Sequence, residues 1–133
     1  MFKLLKIENG RMNVPEPVFF EAAAGEAIAI GEALVLSDGK LTKCAATTAP
    51  KYIAMGQVGA NATDRRVAVC RAGADQVYEV PVTAVPTALK AGDKVTLHTD
   101  GMQVTATTTG GVITVESLNG ATVAGDSIIV RIV

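Results

Sequence analysis

Ala91-Gly92-Asp93-Lys94-Val95-Thr96-Leu97-His98-Thr99-Asp100-Gly101-Met102-Gln103-Val104-Thr105-Ala106 reads as a complete β-hairpin with its turn written in. Asp100-Gly101 is a dipeptide that tolerates positive φ at both central positions of a two-residue type I′ turn. Centred there, the hairpin sets Thr99 opposite Met102, Leu97 opposite Val104 and Val95 opposite Ala106 on one face. His98 then opposes Gln103 and Thr96 opposes Thr105 on the other. A slip of one residue would turn the apolar set to water, so the register is well specified.

The unit recurs upstream. Gly31-Glu32-Ala33-Leu34-Val35-Leu36-Ser37-Asp38-Gly39-Lys40-Leu41-Thr42 gives a glycine-acid start, a short apolar strand and an Asp-Gly turn. The step from Gly31 to Gly92 is 61 residues, and the same step carries Gly59 to Gly120 and Val67-Ala68-Val69 to Ile128-Ile129-Val130. Tyr52-Ile53-Ala54-Met55 falls near Val112-Ile113-Thr114-Val115. The expectation is an all-β chain with at most one or two short helical turns, built as a compact β-barrel or sandwich of two similar halves. Residues 25–72 and 86–133 would form these halves within a single β domain, 25–133, preceded by an extended N-terminal arm, residues 1–24.

Aromatic residues make up only 4% of the chain and Trp is absent, so the core must be assembled from Val, Ile, Leu, Ala and Met. At 133 residues one domain can bury such a core without staples. Twelve basic against thirteen acidic residues leave a formal charge of −1, which argues against nucleic acid as a partner. No apolar run approaches about 18 residues, so no membrane span is expected. Met1 to Asn9 is too short and too charged to read as a secretory signal. Cys44 and Cys70 are therefore expected as separate free thiols packed as small apolar groups.

In the arm, Pro15 and Pro17 disfavour helix, and Phe19 and Phe20 supply two of the chain's three phenylalanines. Either the arm folds back and its Phe pair caps the domain, or it reaches onto a partner as an added strand or apolar anchor. Removal of residues 1–20 is expected to leave a folded domain that has lost affinity for its partner. Further on, Pro81 places Gln76 to Val82 at an edge or at a strand end. The apolar run Gly125 to Val133 should be an interior sheet member or lie under a partner.

Signatures of chemistry are missing from the pattern. His98 is the only histidine and sits among polar strand residues, so it reads as solvated rather than as a metal ligand or triad base. Glu32, Asp93 and Asp126 each follow a glycine, which reads as turn chemistry with the carboxylate bonding nearby amides. No catalytic residue, cofactor site or metal site is assigned.

Ile7-Glu8-Asn9, Asn13-Val14-Pro15-Glu16-Pro17, Gly31-Glu32-Ala33-Leu34, Lys51-Tyr52-Ile53-Ala54 and the run Pro86 to Gly101 together resemble the small head-decoration, or capsid cement, proteins of tailed bacteriophages. The resemblance spans nearly the whole chain and rests on turn and strand patterns. It implies a non-enzymatic structural protein of the virion, made in the host bacterial cytoplasm, that binds the major capsid protein on the outer surface of the shell. It also implies a homo-oligomer, with a trimer favoured, and a contact role for Met12, Val14, Pro15, Pro17, Val18, Phe19 and Phe20. Two alternatives come from other classes: a virion-surface β-sandwich module for adhesion or carbohydrate binding, and a small oligomeric β enzyme with sites shared between subunits.

Overall fold

The computed structural model describes residues 1–8, 15–44 and 46–132, and among these there is no helix. Ten strands follow one another: β1 Lys3–Ile7, β2 Val18–Glu21, β3 Ala33–Ser37, β4 Lys40–Lys43, β5 Tyr52–Ala54, β6 Arg66–Arg71, β7 Gln76–Pro81, β8 Lys94–Val95, β9 Ile113–Ser117 and β10 Ser127–Arg131. They make two five-stranded antiparallel sheets. Sheet 1 has the order β1-β7-β10-β9-β8 and sheet 2 the order β2-β6-β5-β3-β4. The arrangement is consistent with a sandwich of two halves, and neither sheet is a closed barrel. β10 is an interior strand, as its apolar sequence requires, and Pro81 ends its strand.

The two Asp-Gly turns differ. Asp38 and Gly39 both take positive φ, 51° and 75°, which is the type I′ geometry, and β3 and β4 pair in the matching register with Leu36 opposite Leu41. In the second hairpin Leu97 pairs with Val104 and the Thr96 and Thr105 hydroxyls meet at 2.7 Å, as expected. Of the central pair, however, only Gly101 has positive φ. The Asp100 carboxylate accepts hydrogen bonds from the Met102 amide and from Gln103 Nε2, both at 2.8 Å. That local Asx-type bonding competes with the type I′ geometry and lengthens the loop by two residues.

The expected pair of Val95 with Ala106 is not made. Thr96 N–H donates to Thr107 O instead, and Val95 pairs with Ile113 of β9. Gly111 allows this, because a Cβ there would lie 2.1 Å from the Lys94 carbonyl oxygen.

Several backbone hydrogen bonds of the first half recur in the second across the 61-residue step. Gly31 N–H donates to Ala54 O and Ala54 N–H to Glu32 O; Gly92 N–H donates to Val115 O and Val115 N–H to Asp93 O. The glycine-acid step repeats as well, with Glu32 accepting from Ala29 N–H and Asp93 from Lys90 N–H, each at 2.9 Å. Strand order follows the same correspondence: β2-β6-β5-β3 matches β7-β10-β9-β8. A parallel bridge from Ala22 to Leu41 matches one from Val82 to Val104. The repeating unit therefore starts one strand before residues 25 and 86, with β2 and β7, which share little sequence.

β1 has no counterpart in the repeat. It lies antiparallel on the outer edge of β7, so the described part of segment 1–24 contributes a strand to each sheet. One core cluster fills the curl of sheet 2 around Leu34, Leu41, Val67 and Val69. The larger cluster joins the sheets, with Ala33, Ile53 and Cys70 packed among Tyr78, Val80, Leu97, Ile128 and Val130. Cys44 and Cys70 are both buried and free.

Candidate docking surface

Alternation along β2 divides its side chains between two environments. Val18 and Phe20 turn toward the curl of sheet 2, where Phe20 meets Tyr52 edge-on with ring centroids 5.2 Å apart. Phe19 turns the other way and is 62% exposed. It is paired with Ala68 of β6, whose carbonyl accepts the Met55 amide at 2.8 Å. Phe19 on β2, Ala68 on β6 and Met55, the residue after β5, thus form a row, on the face that elsewhere carries Ile53 and Cys70 into the shared core.

Beside Met55 the row reaches an apolar cavity of about 250 Å³, lined by Met1, Phe2, Pro15, Ile30, Ile53 and Tyr78 among others. Met1 and Ile30 at its rim are exposed. Phe2 is buried edge-on against Tyr78 at 6.2 Å and donates its amide to Gly31 O at 2.9 Å. Gly31 is required at that crossing: its φ is +80°, and a Cβ would come within 2.6 Å of Met1 Cβ. Below the cavity Tyr78 OH donates to Gln76 Oε1 at 2.8 Å, and burial pushes the phenol well above its ordinary pKa.

The matching place in the other half has opposite chemistry. There Glu79 stands opposite Ile129, and Arg131 joins Glu116 at 2.7 Å and Glu8 at 2.8 Å. The Arg131 hydrogen bond holds the Glu8 carboxyl below the usual carboxylate range. One face of the repeated unit is thus dressed in charge in sheet 1 and in apolar side chains in sheet 2. Exposed apolar area of this kind is worth roughly 25 cal/mol per Å² when a partner removes it from water.

Of the residues expected to make contact, Phe19 and Pro17 are exposed, Pro15 lines the cavity, and Val18 and Phe20 are half-buried against the curl of sheet 2. Met12 and Val14 lie outside the described residues. Met55, Ala68, Ile30 and Met1 were not found by sequence reading. They belong to four separated segments, and only the pairing of β2, β6 and β5 brings the first two beside Phe19.

His98 lies at the hairpin tip, half-exposed, with Nδ1 3.2 Å from Asp100 Oδ1. Among the described residues no three His, Cys, Asp or Glu side chains converge to hold a metal ion. Burial pushes the Cys44 thiol up to about 11, and its Sγ donates to Thr48 O, which makes it a packing group rather than a nucleophile at neutral pH. No protein-family model matches the chain, and no curated protein matches it in sequence.

Proposed function

We propose that this chain is a structural virion protein of the head-decoration or cement type, which binds the outer surface of a tailed-bacteriophage capsid and stabilises it without performing chemistry. The observation that carries the reading is the Phe19–Ala68–Met55 row, exposed at both ends, with its adjoining cavity, set where the other half presents salt-bridged charge. The partner in this reading is the major capsid protein, and the active form is a homo-oligomer, with a trimer favoured.

The energetics fit a cement. A protein that binds the assembled shell and not its free subunits shifts the equilibrium toward the shell at every occupied site. An interface of about 1,600 Å² in total suffices for specific binding of each copy, and an oligomer adds effective concentration. A carbohydrate-binding surface needs flat aromatic platforms. Here Phe2 and Tyr78 are buried, Phe20 and Tyr52 pack on each other, and Phe19 alone stands free.

The test is to add the purified protein to undecorated tailed-phage capsids and follow shell melting by differential scanning calorimetry. The expected result is a saturable rise in the shell transition with protein added. An unchanged transition at saturating protein would contradict the reading.

A further inference from the structure

A strand position that is filled in one half is open in the other. In β7, Val82 N–H donates to Asp126 O, which fixes the phase of the strand: even-numbered residues face β10, and Val77 and Glu79 turn their backbone groups outward. β1 takes those groups, with Lys3 opposite Glu79 and Lys6 opposite Val77. In β2, Ala22 N–H donates to Arg65 O and fixes the same phase, so Phe19 and Pro17 turn their backbone outward. The edge is closed at its far end in both halves, by Ala22 to Leu41 and by Val82 to Val104. Beyond that point no strand among the described residues covers β2 on this side.

We infer that the outer edge of β2, from Pro17 to Phe19, receives an extended strand from a partner chain, antiparallel, as β7 receives β1. The occupant's chemistry can be read from the filled position. Lys3 sits opposite Glu79, a pair matched in charge; Phe19 stands where Glu79 does, so the partner residue opposite it is apolar. That residue extends the row Phe19–Ala68–Met55 by one strand. Pro17 lacks the donor that Val77 supplies, so this edge offers one backbone donor fewer than the edge of β7, which suits a short, reversible addition. The inference stands on the pairing seen in sheet 1 and not on the shell being the partner.

The test uses the full-length protein and two synthetic peptides spanning residues 2–8, one unaltered and one carrying Lys3→Val. Binding is measured by NMR titration, with amide exchange read at Phe19. The Lys3→Val peptide is expected to slow exchange of the Phe19 amide about tenfold at saturation and to bind several-fold more tightly than the unaltered peptide. Phe19→Glu should reverse that preference, because it recreates the environment that Lys3 meets on β7. Phe19→Pro removes an outward-facing donor that sheet 2 does not use, so it should abolish binding while the thermal melt stays close to wild type. Unchanged Phe19 exchange, equal binding by Phe19→Pro, or perturbation at Glu79 through displacement of β1 would each overturn the inference. Should Phe19→Pro fail to fold, the preference measured on Phe19→Glu still decides. Failure here would leave the capsid reading to its own calorimetric test.

Discussion

Glu32 is a carboxylate taken out of water, 3% exposed, with Oε2 held by the Ala29 amide and Oε1 without a hydrogen-bond partner. Lys43 Nζ lies 3.9 Å away. Burial pushes the Glu32 pKa up, against the pull of the Ala29 amide and the Lys43 charge. A folded pKa above the unfolded one means that Glu32 contributes most to stability below the ordinary glutamate range, and that this contribution is lost as pH rises through the folded value. Glu32→Gln removes that dependence. The melting temperature of the variant minus that of wild type should therefore become more positive between pH 4 and pH 7; a difference constant with pH would contradict the assignment. Its counterpart in the other half, Asp93, shows how much was legible at this scale. The glycine-acid step and its backbone-capping carboxylate were readable from sequence in both halves, whereas the burial of one of the two was not, because it depends on the Gly101 turn packing over Glu32. Gly111 makes the sharper steric prediction. Gly111→Ala drives a Cβ into the Lys94 carbonyl, and chemical denaturation should show a loss of about 3 kcal/mol or more.

Among elements, the loop that enters sheet 2 is held by one side chain. Arg65 donates to the carbonyls of Gly59, Ala60, Ala23 and Glu26, tying the 59–60 turn to the segment after β2. Arg65→Ala leaves those carbonyls without their charged donor and should lower stability by about 2 kcal/mol in urea denaturation. Arg65→Lys, with no planar fork, should recover only part of this. The N-terminal segment is integral as well. Phe2 is buried, β1 covers β7 and β2 covers β6, so Phe2→Ala should lower stability by about 3 kcal/mol by the same measurement. Deletion of residues 1–20 strips an outer strand from both sheets and should abolish cooperative unfolding, in place of the folded remnant that a free arm would leave. Most strands were legible here, because apolar runs bounded by glycine and proline mark them. The places of β1 and β2 in the sheets were not, since an extended segment with two prolines fits equally well a free arm and an edge strand.

Across the whole molecule the repeat was readable because its glycines and short apolar strands recur at one spacing, but its consequence lies in where the halves differ. Val67 and Ile128 keep the core alike, while Phe19 and Glu79, or Met55 and Glu116, divide the outer faces into an apolar one and a charged one. No single stretch of sequence contains that contrast. The shared core draws Ala33, Ile53 and Cys70 from sheet 2 and the rest mostly from sheet 1 and its neighbouring segments, so thermal unfolding should be one transition with calorimetric and van't Hoff enthalpies equal; two transitions would show separable halves. In the proposed function the apolar face of sheet 2 is what the shell holds. Co-sedimentation with undecorated tailed-phage capsids is the decisive measurement, comparing wild type with Phe19→Glu combined with Met55→Glu, and with Glu79→Ala as the control on the opposite half. The double variant is expected to stay in the supernatant while wild type and Glu79→Ala pellet with the shells; co-pelleting of the double variant at wild-type levels would rule out this face as the one the shell holds.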